Sequence, residues 1–166
     1  KFNVRYFTTD SKHDREYIMF SHNSDRIILQ KLLNHEIVEN HAEANPLATA
    51  LNLHISALDL QQIELKFDVP QQFTQGHGMV QGGIISAMLD FSAAFLGLIN
   101  VSEQHSVVTT SSTVNYLRPA PLGQYTVRAN LNKSGQKMIF VSAELYQNDH
   151  KLVANALFSM AVISLH

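Results

Sequence analysis

One stretch constrains this chain more than any other: Gln81-Gly82-Gly83-Ile84-Ile85-Ser86-Ala87-Met88-Leu89-Asp90-Phe91-Ser92-Ala93-Ala94-Phe95-Leu96-Gly97-Leu98-Ile99. At ~3.6 residues per turn it is long enough for about five turns of helix. Apolar residues recur on nearly every face, which predicts a helix buried all round and not an amphipathic surface helix. Its only formal charge is Asp90. A lone carboxylate in such surroundings is costly unless it is hydrogen-bonded or put to use. The glycine pair at the start lets another group approach the backbone, where a helix N-terminus presents N–H groups without intrahelical acceptors. Donors at one end and a carboxylate two turns along suggest a site for a polarised carbonyl and its base. Two plainer readings stand beside this one. A run of about 18 apolar residues also suffices to cross a bilayer, but this one holds an aspartate and three glycines and has no flanking Lys or Arg. Alternatively, the helix is purely structural and Asp90 is satisfied by a nearby backbone group.

The rest of the chain can supply a core around such a helix. Of 166 residues, 45% are apolar and 16% charged, which fits one folded unit and excludes a disordered tail or linker. A net charge of −2 with no basic run gives no electrostatic footprint for nucleic acid or an anionic membrane. The absence of cysteine excludes disulfides, thiolate metal sites and a cysteine nucleophile, and fits a reducing cytoplasm, the expected location. The first six residues lack the apolar core of a signal peptide. So small a charged fraction leaves apolar surface, and another subunit is expected to cover part of it.

In chain order, residues 1–23 suggest two short strands, near residues 2–6 and 17–20. Ser24-Asp25 reads as a helix start, and from residue 26 to about residue 43 Ile28, Leu29, Leu32, Leu33 and Ile37 recur at helical spacing. This amphipathic helix is expected to pack on the domain or on a partner subunit. Asn45 as cap and Pro46 at the first helical position predict a short helix through residue 51. Ile63, Leu65, Phe67 and Val69 alternate with Glu64, Lys66 and Asp68 as a half-buried strand. After a Gln- and Gly-rich loop and the long helix, four extended segments follow: 106–117, 125–132, 139–145 and 152–163. The last is apolar on both faces and reads as central. Short turns between them imply antiparallel neighbours. The fold class is α+β: a long buried helix laid against a curved antiparallel sheet of five or six strands.

Gly76-His77-Gly78-Met79-Val80-Gln81-Gly82-Gly83, followed seven residues later by Asp90, resembles the signature of hot-dog acyl-CoA thioesterases of the PaaI-like (phenylacetyl-CoA thioesterase) type. Asn45-Pro46-Leu47, Asn115-Tyr116-Leu117-Arg118-Pro119-Ala120 and Lys151-Leu152-Val153-Ala154 resemble further pieces of that family in the same order. The resemblance covers residues 45–166 as a thioesterase domain and leaves residues 1–44 as an N-terminal extension. It implies a helix wrapped by a sheet, with two protomers paired edge to edge, as a homodimer or a dimer of dimers, and the active site at their interface. Carried over, the backbone N–H of Gly82 or Gly83 is the oxyanion donor and Asp90 the general base or nucleophile. An acyl-CoA or related thioester is the substrate, and no metal or cofactor takes part. The chain departs from the commonest family pattern at Gln81, where many members have His, and at Gln75, where many have Asn. Glutamine can donate and accept but does not titrate, so either would orient the thioester or the water.

Several other residues are candidates for the substrate. His77 lines the mouth of the site or acts as acid or base; Gly78 lies beside it. Thr110 and Ser111, with Thr109, Ser112 and Thr113, are either hydrogen-bond partners of Asp90 or the substrate, or ordinary strand residues. Arg118, Arg128, Lys133 and Lys137 are candidates for the coenzyme A phosphates or simply solvated surface. The nine histidines show no His-x-x-x-His spacing, so no metal site is expected. Two other functions remain open on the sequence. One is a hot-dog hydratase or dehydratase, which would need a second converging acid or base. The other is a non-catalytic acyl-CoA sensor, which would normally carry an output domain.

Overall fold

The computed structural model describes residues 23–36, 45–148 and 150–165. The strands expected near residues 2–6 and 17–20, and Ile37 in the expected helix, lie outside the described residues. Six strands form one antiparallel sheet: β1 (His54–Leu58), β2 (Gln62–Asp68), β3 (His105–Tyr116), β4 (Gln124–Ser134), β5 (Met138–Gln147) and β6 (Lys151–Ser164). Their spatial order is β1-β2-β4-β5-β6-β3. Among the described residues three α-helices accompany them: α1 (Ser24–Leu33), α2 (Pro46–Ala50) and α3 (Gly82–Ile99).

The alternation seen in the sequence places one face of the sheet inward. Ile63, Leu65 and Phe67 of β2, Val127 and Ala129 of β4, and Ile139, Val141, Ala143 and Leu145 of β5 are all buried. α3 lies across this face and packs against β2, β3, β4, β5 and β6. Burying each large aliphatic side chain between them contributes about 1.5–3 kcal/mol, so the helix and the sheet stabilise each other.

β6 is interior, paired to β5 on one side and to β3 on the other, but it is not central. Short turns keep β4, β5 and β6 consecutive. The connection from β3 to β4 is different, because Pro119 and Pro121 cannot extend a ladder. It runs instead against the segment before α3, where Val80 N–H donates to the Ala120 carbonyl at 2.7 Å and Met79 bridges Pro121. β3 is thereby left at the sheet edge.

α1 starts at Ser24, as expected, but ends earlier than expected. Its cap is Asn23, whose Oδ1 accepts from the Arg26 N–H at 3.1 Å, and Ser24 is already helical. It stops at Leu33, well before residue 43. His35 adopts φ 57°, its N–H bonds the Leu32 carbonyl at 3.0 Å, and the Glu36 N–H bonds the Lys31 carbonyl at 2.9 Å. This paired closure is the usual left-handed end of a helix, with histidine where glycine is commoner. α2 begins as expected, with Asn45 Oδ1 accepting from Ala48 N–H at 3.3 Å.

Leu29 of α1 is fully buried, but the firmest tie is polar. The Arg26 guanidinium, only 8% exposed, donates to the carbonyls of Val101 at 2.9 Å and His105 at 2.6 Å. It thus binds α1 to the turn joining α3 and β3. Arg26→Ala should lower unfolding stability by about 2–3 kcal/mol, since hydrogen bonds from a charged group are lost and two carbonyls are left without it. Equilibrium urea denaturation measures this, and an unchanged midpoint would refute the role.

Tyr125, buried at 1% exposure, donates its hydroxyl to the Pro121 carbonyl. Burial pushes its phenol from 10.0 up to about 12. A raised folded-state value means that the fold favours the neutral phenol. This contribution is complete below pH ~10 and is lost as pH rises through ~12. Denaturation midpoints followed up the alkaline range should fall in that window for the wild type and fall less for Tyr125→Phe.

Candidate active site at the start of the long helix

The chain reaches α3 through a tight turn. Gln75 N–H bonds the Met79 carbonyl at 2.7 Å, Gly78 N–H bonds the Gln75 carbonyl at 2.8 Å, and Thr74 bridges Val80. Gly78 sits at φ 75°, so the turn itself calls for glycine there. The Gln75 side chain caps the same turn, its Oε1 accepting from His77 N–H at 3.0 Å, and His77 is exposed at the tip.

Gln81 is the N-cap of α3, but its side chain does not cap the helix. Its amide instead reaches back to the Thr74 carbonyl at 3.4 Å. Its backbone carbonyl accepts from the N–H groups of both Ile84 and Ile85, at 3.0 and 3.1 Å. Among the described residues, the N–H groups of Gly82 and Gly83 are left without an acceptor. Neither glycine has a positive φ. A Cβ on Gly83 would meet nothing within 4 Å, and one on Gly82 would make ordinary contact with Tyr116 at 3.6 Å. Neither backbone conformation nor packing within the chain requires these glycines. What they provide is open access to two donors at the positive end of a long helix.

Asp90 lies two turns further along and is half-buried. Thr109 Oγ1 donates to its Oδ1 at 2.9 Å. Of the strand residues expected as partners from sequence, Thr109 makes the contact and Ser111 and Thr113 do not, and the register explains the selection. A bulge between Thr109 and Ser111 shifts β3 against β6, so Thr109 pairs with buried Met160, whereas Ser111 pairs with Ser159 and Thr113 with exposed Leu157. Directly opposed residues share a face, so Thr109 points toward α3 while Ser111 and Thr113 lie on the outer face. Thr110, in the bulge, donates to the Ser159 carbonyl at 2.9 Å. Arg118 Nη1 donates to the Leu152 carbonyl.

α3 is not buried all round. Gly83, Ser86, Ala87, Asp90, Phe91 and Ala94 keep some exposure, and their spacing makes one stripe along the helix. The glycine donors and the carboxylate lie on that stripe. Gln75, Gly78 and Gln81 gather near its start, whereas Ser111 is turned away. Two residues not among the site candidates of the sequence join it: Tyr116 at the end of β3 and Ser86, whose hydroxyls lie 2.6 Å apart. Only the bulge, which resets the alternation of β3, could have revealed Tyr116 as inward-facing. A cleft of about 730 Å³, lined by Asn100, Ser102, His105 and Lys137 among others, lies at the opposite end of α3 and includes neither the donors nor Asp90.

Comparisons with known proteins agree with this fold. The thioesterase superfamily model matches residues 77–154, which contain the glycine pair, Asp90 and Thr109. The structure is similar to that of the phenylacetic acid degradation-related protein of Ralstonia eutropha JMP134, with a TM-score of 0.70 and 31% identity over 81% of this chain and 98% of that one. It is also similar to the PaaI protein of the phenylacetic acid degradation operon of E. coli, with a TM-score of 0.70 and 21% identity over 82% and 94% of the two chains. A Haemophilus influenzae protein named as an esterase is 25% identical over 76% of this chain and 91% of its own length. The α3 helix wrapped by six antiparallel strands is the hot-dog fold, and the chain belongs to the thioesterase superfamily.

Proposed function

We propose that this protein hydrolyses acyl thioesters, acyl-coenzyme A first among them, to the free acid and the thiol. The observation that carries this reading is the Asp90 carboxylate, held by Thr109 on the open stripe of α3 that begins with two unoccupied N–H donors. Asp90 takes a proton from water as the water oxygen bonds to the thioester carbonyl carbon. The carbonyl oxygen gains negative charge and is stabilised by the N–H of Gly82 or Gly83. The tetrahedral intermediate then collapses, the C–S bond breaks, and the thiolate leaves with the proton from Asp90. Gln81 and Gln75 orient the thioester or the water, and His77 and Gly78 lie at the mouth.

Within one helix the donors and the carboxylate are about 10 Å apart, seven residues at ~1.5 Å each, too far to serve one carbonyl. The site therefore combines Gly82 and Gly83 of one protomer with Asp90 of a second. β3 supports this arrangement. It has 12 residues, an outer edge unpaired among the described residues, no Lys, Pro or acidic residue, and exposed Val108 and Tyr116. A long edge strand with none of the usual protections is ready to pair with another copy. An aromatic acyl group is the first substrate class to test, given the phenylacetic acid context of the Ralstonia relative.

Asp90→Asn can still accept from Thr109 but cannot take a proton. Turnover of the best thioester in an acyl-CoA panel should fall ~10²-fold or more with the melting temperature unchanged. Wild-type rates in this variant would overturn the mechanism. Gly83→Ala should leave stability unchanged or raise it by up to about 1 kcal/mol, because alanine is the better helix former, while lowering turnover by crowding the donor. Sedimentation should show a dimer or a larger even assembly, and an active monomer would refute the shared site.

A further inference from the structure

Tyr116 ends β3 and lays its ring over the first turn of α3. Its hydroxyl lies 2.6 Å from Ser86 Oγ and 3.2 Å from the Gly82 carbonyl oxygen. A Cβ on Gly82 would stand 3.6 Å from the ring carbons Cε1 and Cζ. A carbonyl can only accept, so the phenol donates to Gly82. Its single hydrogen is then used, and Ser86 must donate to the phenol oxygen.

The Gly82 carbonyl and the Gly83 N–H belong to one planar, conjugated peptide unit. A hydrogen bond received at the oxygen draws charge from the nitrogen and makes the N–H a stronger donor. Gly82 N–H has equivalent help from inside the helix, since the Gln81 carbonyl accepts from Ile84 and Ile85. Gly83 N–H has the same helical help, because the Gly82 carbonyl accepts from the N–H four residues on, and Tyr116 adds a second hydrogen bond to that carbonyl from the sheet.

We infer that Ser86 and Tyr116 form a relay that polarises the Gly82–Gly83 peptide and strengthens Gly83 N–H as donor to the oxyanion. This rests on the thioesterase reading above. Tyr116 is a positioning residue, acting through the peptide and not on the substrate itself. The 3.2 Å contact is longer than the usual hydroxyl bond. Its effect should therefore be well below the ~10²–10³-fold loss caused by removing an oxyanion donor outright.

Tyr116→Phe keeps the ring over Gly82 and removes only the hydroxyl. It should lower kcat about 3–10-fold, with KM within about twofold and an unchanged melting temperature, as a modest cooperative term requires. Ser86→Ala should lower kcat less, and the double variant should be no slower than Tyr116→Phe alone, because the two act in series. In the free protein, the Gly83 amide nitrogen resonance should move upfield in Tyr116→Phe while those of Gly76 and Gly123 stay in place. An unmoved Gly83 resonance, or effects of the two substitutions that simply multiply, would overturn the relay. A resonance that moves while kcat is unchanged would overturn its catalytic consequence. If the resonance moves but the wild type cleaves no thioester in the panel, the thioesterase reading is what fails.

Discussion

An 18-residue helix with a mean hydropathy of 1.8 cannot remain in water, and most of this structure follows from that constraint. α3 needs a concave apolar surface, and β2, β4, β5 and β6 supply one through side chains that alternate in and out. The wrapping stops short of closure. The helix is about half buried, and the uncovered stripe holds the groups able to do chemistry. A fully enclosed Asp90 would be inaccessible to water and substrate. A fully exposed one would lose the fixed position that Thr109 gives it.

The site is assembled from elements distant in sequence, each fixed by ordinary backbone bonding. The turn at residues 75–79 and the Val80–Ala120 hydrogen bond deliver the chain to Gln81, and β3 brings Thr109 and Tyr116 against α3. The anchoring of that strand begins at its other end, where Arg26 holds the carbonyls of Val101 and His105. α1 lies outside the matched family region, yet it is fastened to the turn from which the site's strand departs.

Much of this was legible because it depends on period and on residue type. The apolar run of α3 and the alternation of β2, β4 and β5 predicted these elements, and Asn45-Pro46 marked the start of α2. Local hydrogen bonding decided what was missed. His35 ends α1 in a conformation that glycine would have announced. The bulge at Thr110 reverses the inward and outward sense of β3, so the sequence could not choose between Thr109 and Ser111 as partner for Asp90, nor place Tyr116 at the site. A helix that is apolar on every face also looks as though it must be buried on every face, which hid the open stripe.

The two edges of the sheet are unlike. β1 has five residues, a register break between Ile55 and Ala57, and Ser56 tied to Glu64 of the neighbouring strand at 2.7 Å. β3 is long, and among the described residues no strand pairs with its outer edge. Pairing through β3 on a two-fold axis would use the one receptive edge of each copy and leave only the short, irregular edges outermost. Growth would then stop at a twelve-stranded sheet. The same asymmetry that would complete the proposed shared site would also keep an adhesive strand from seeding a fibre.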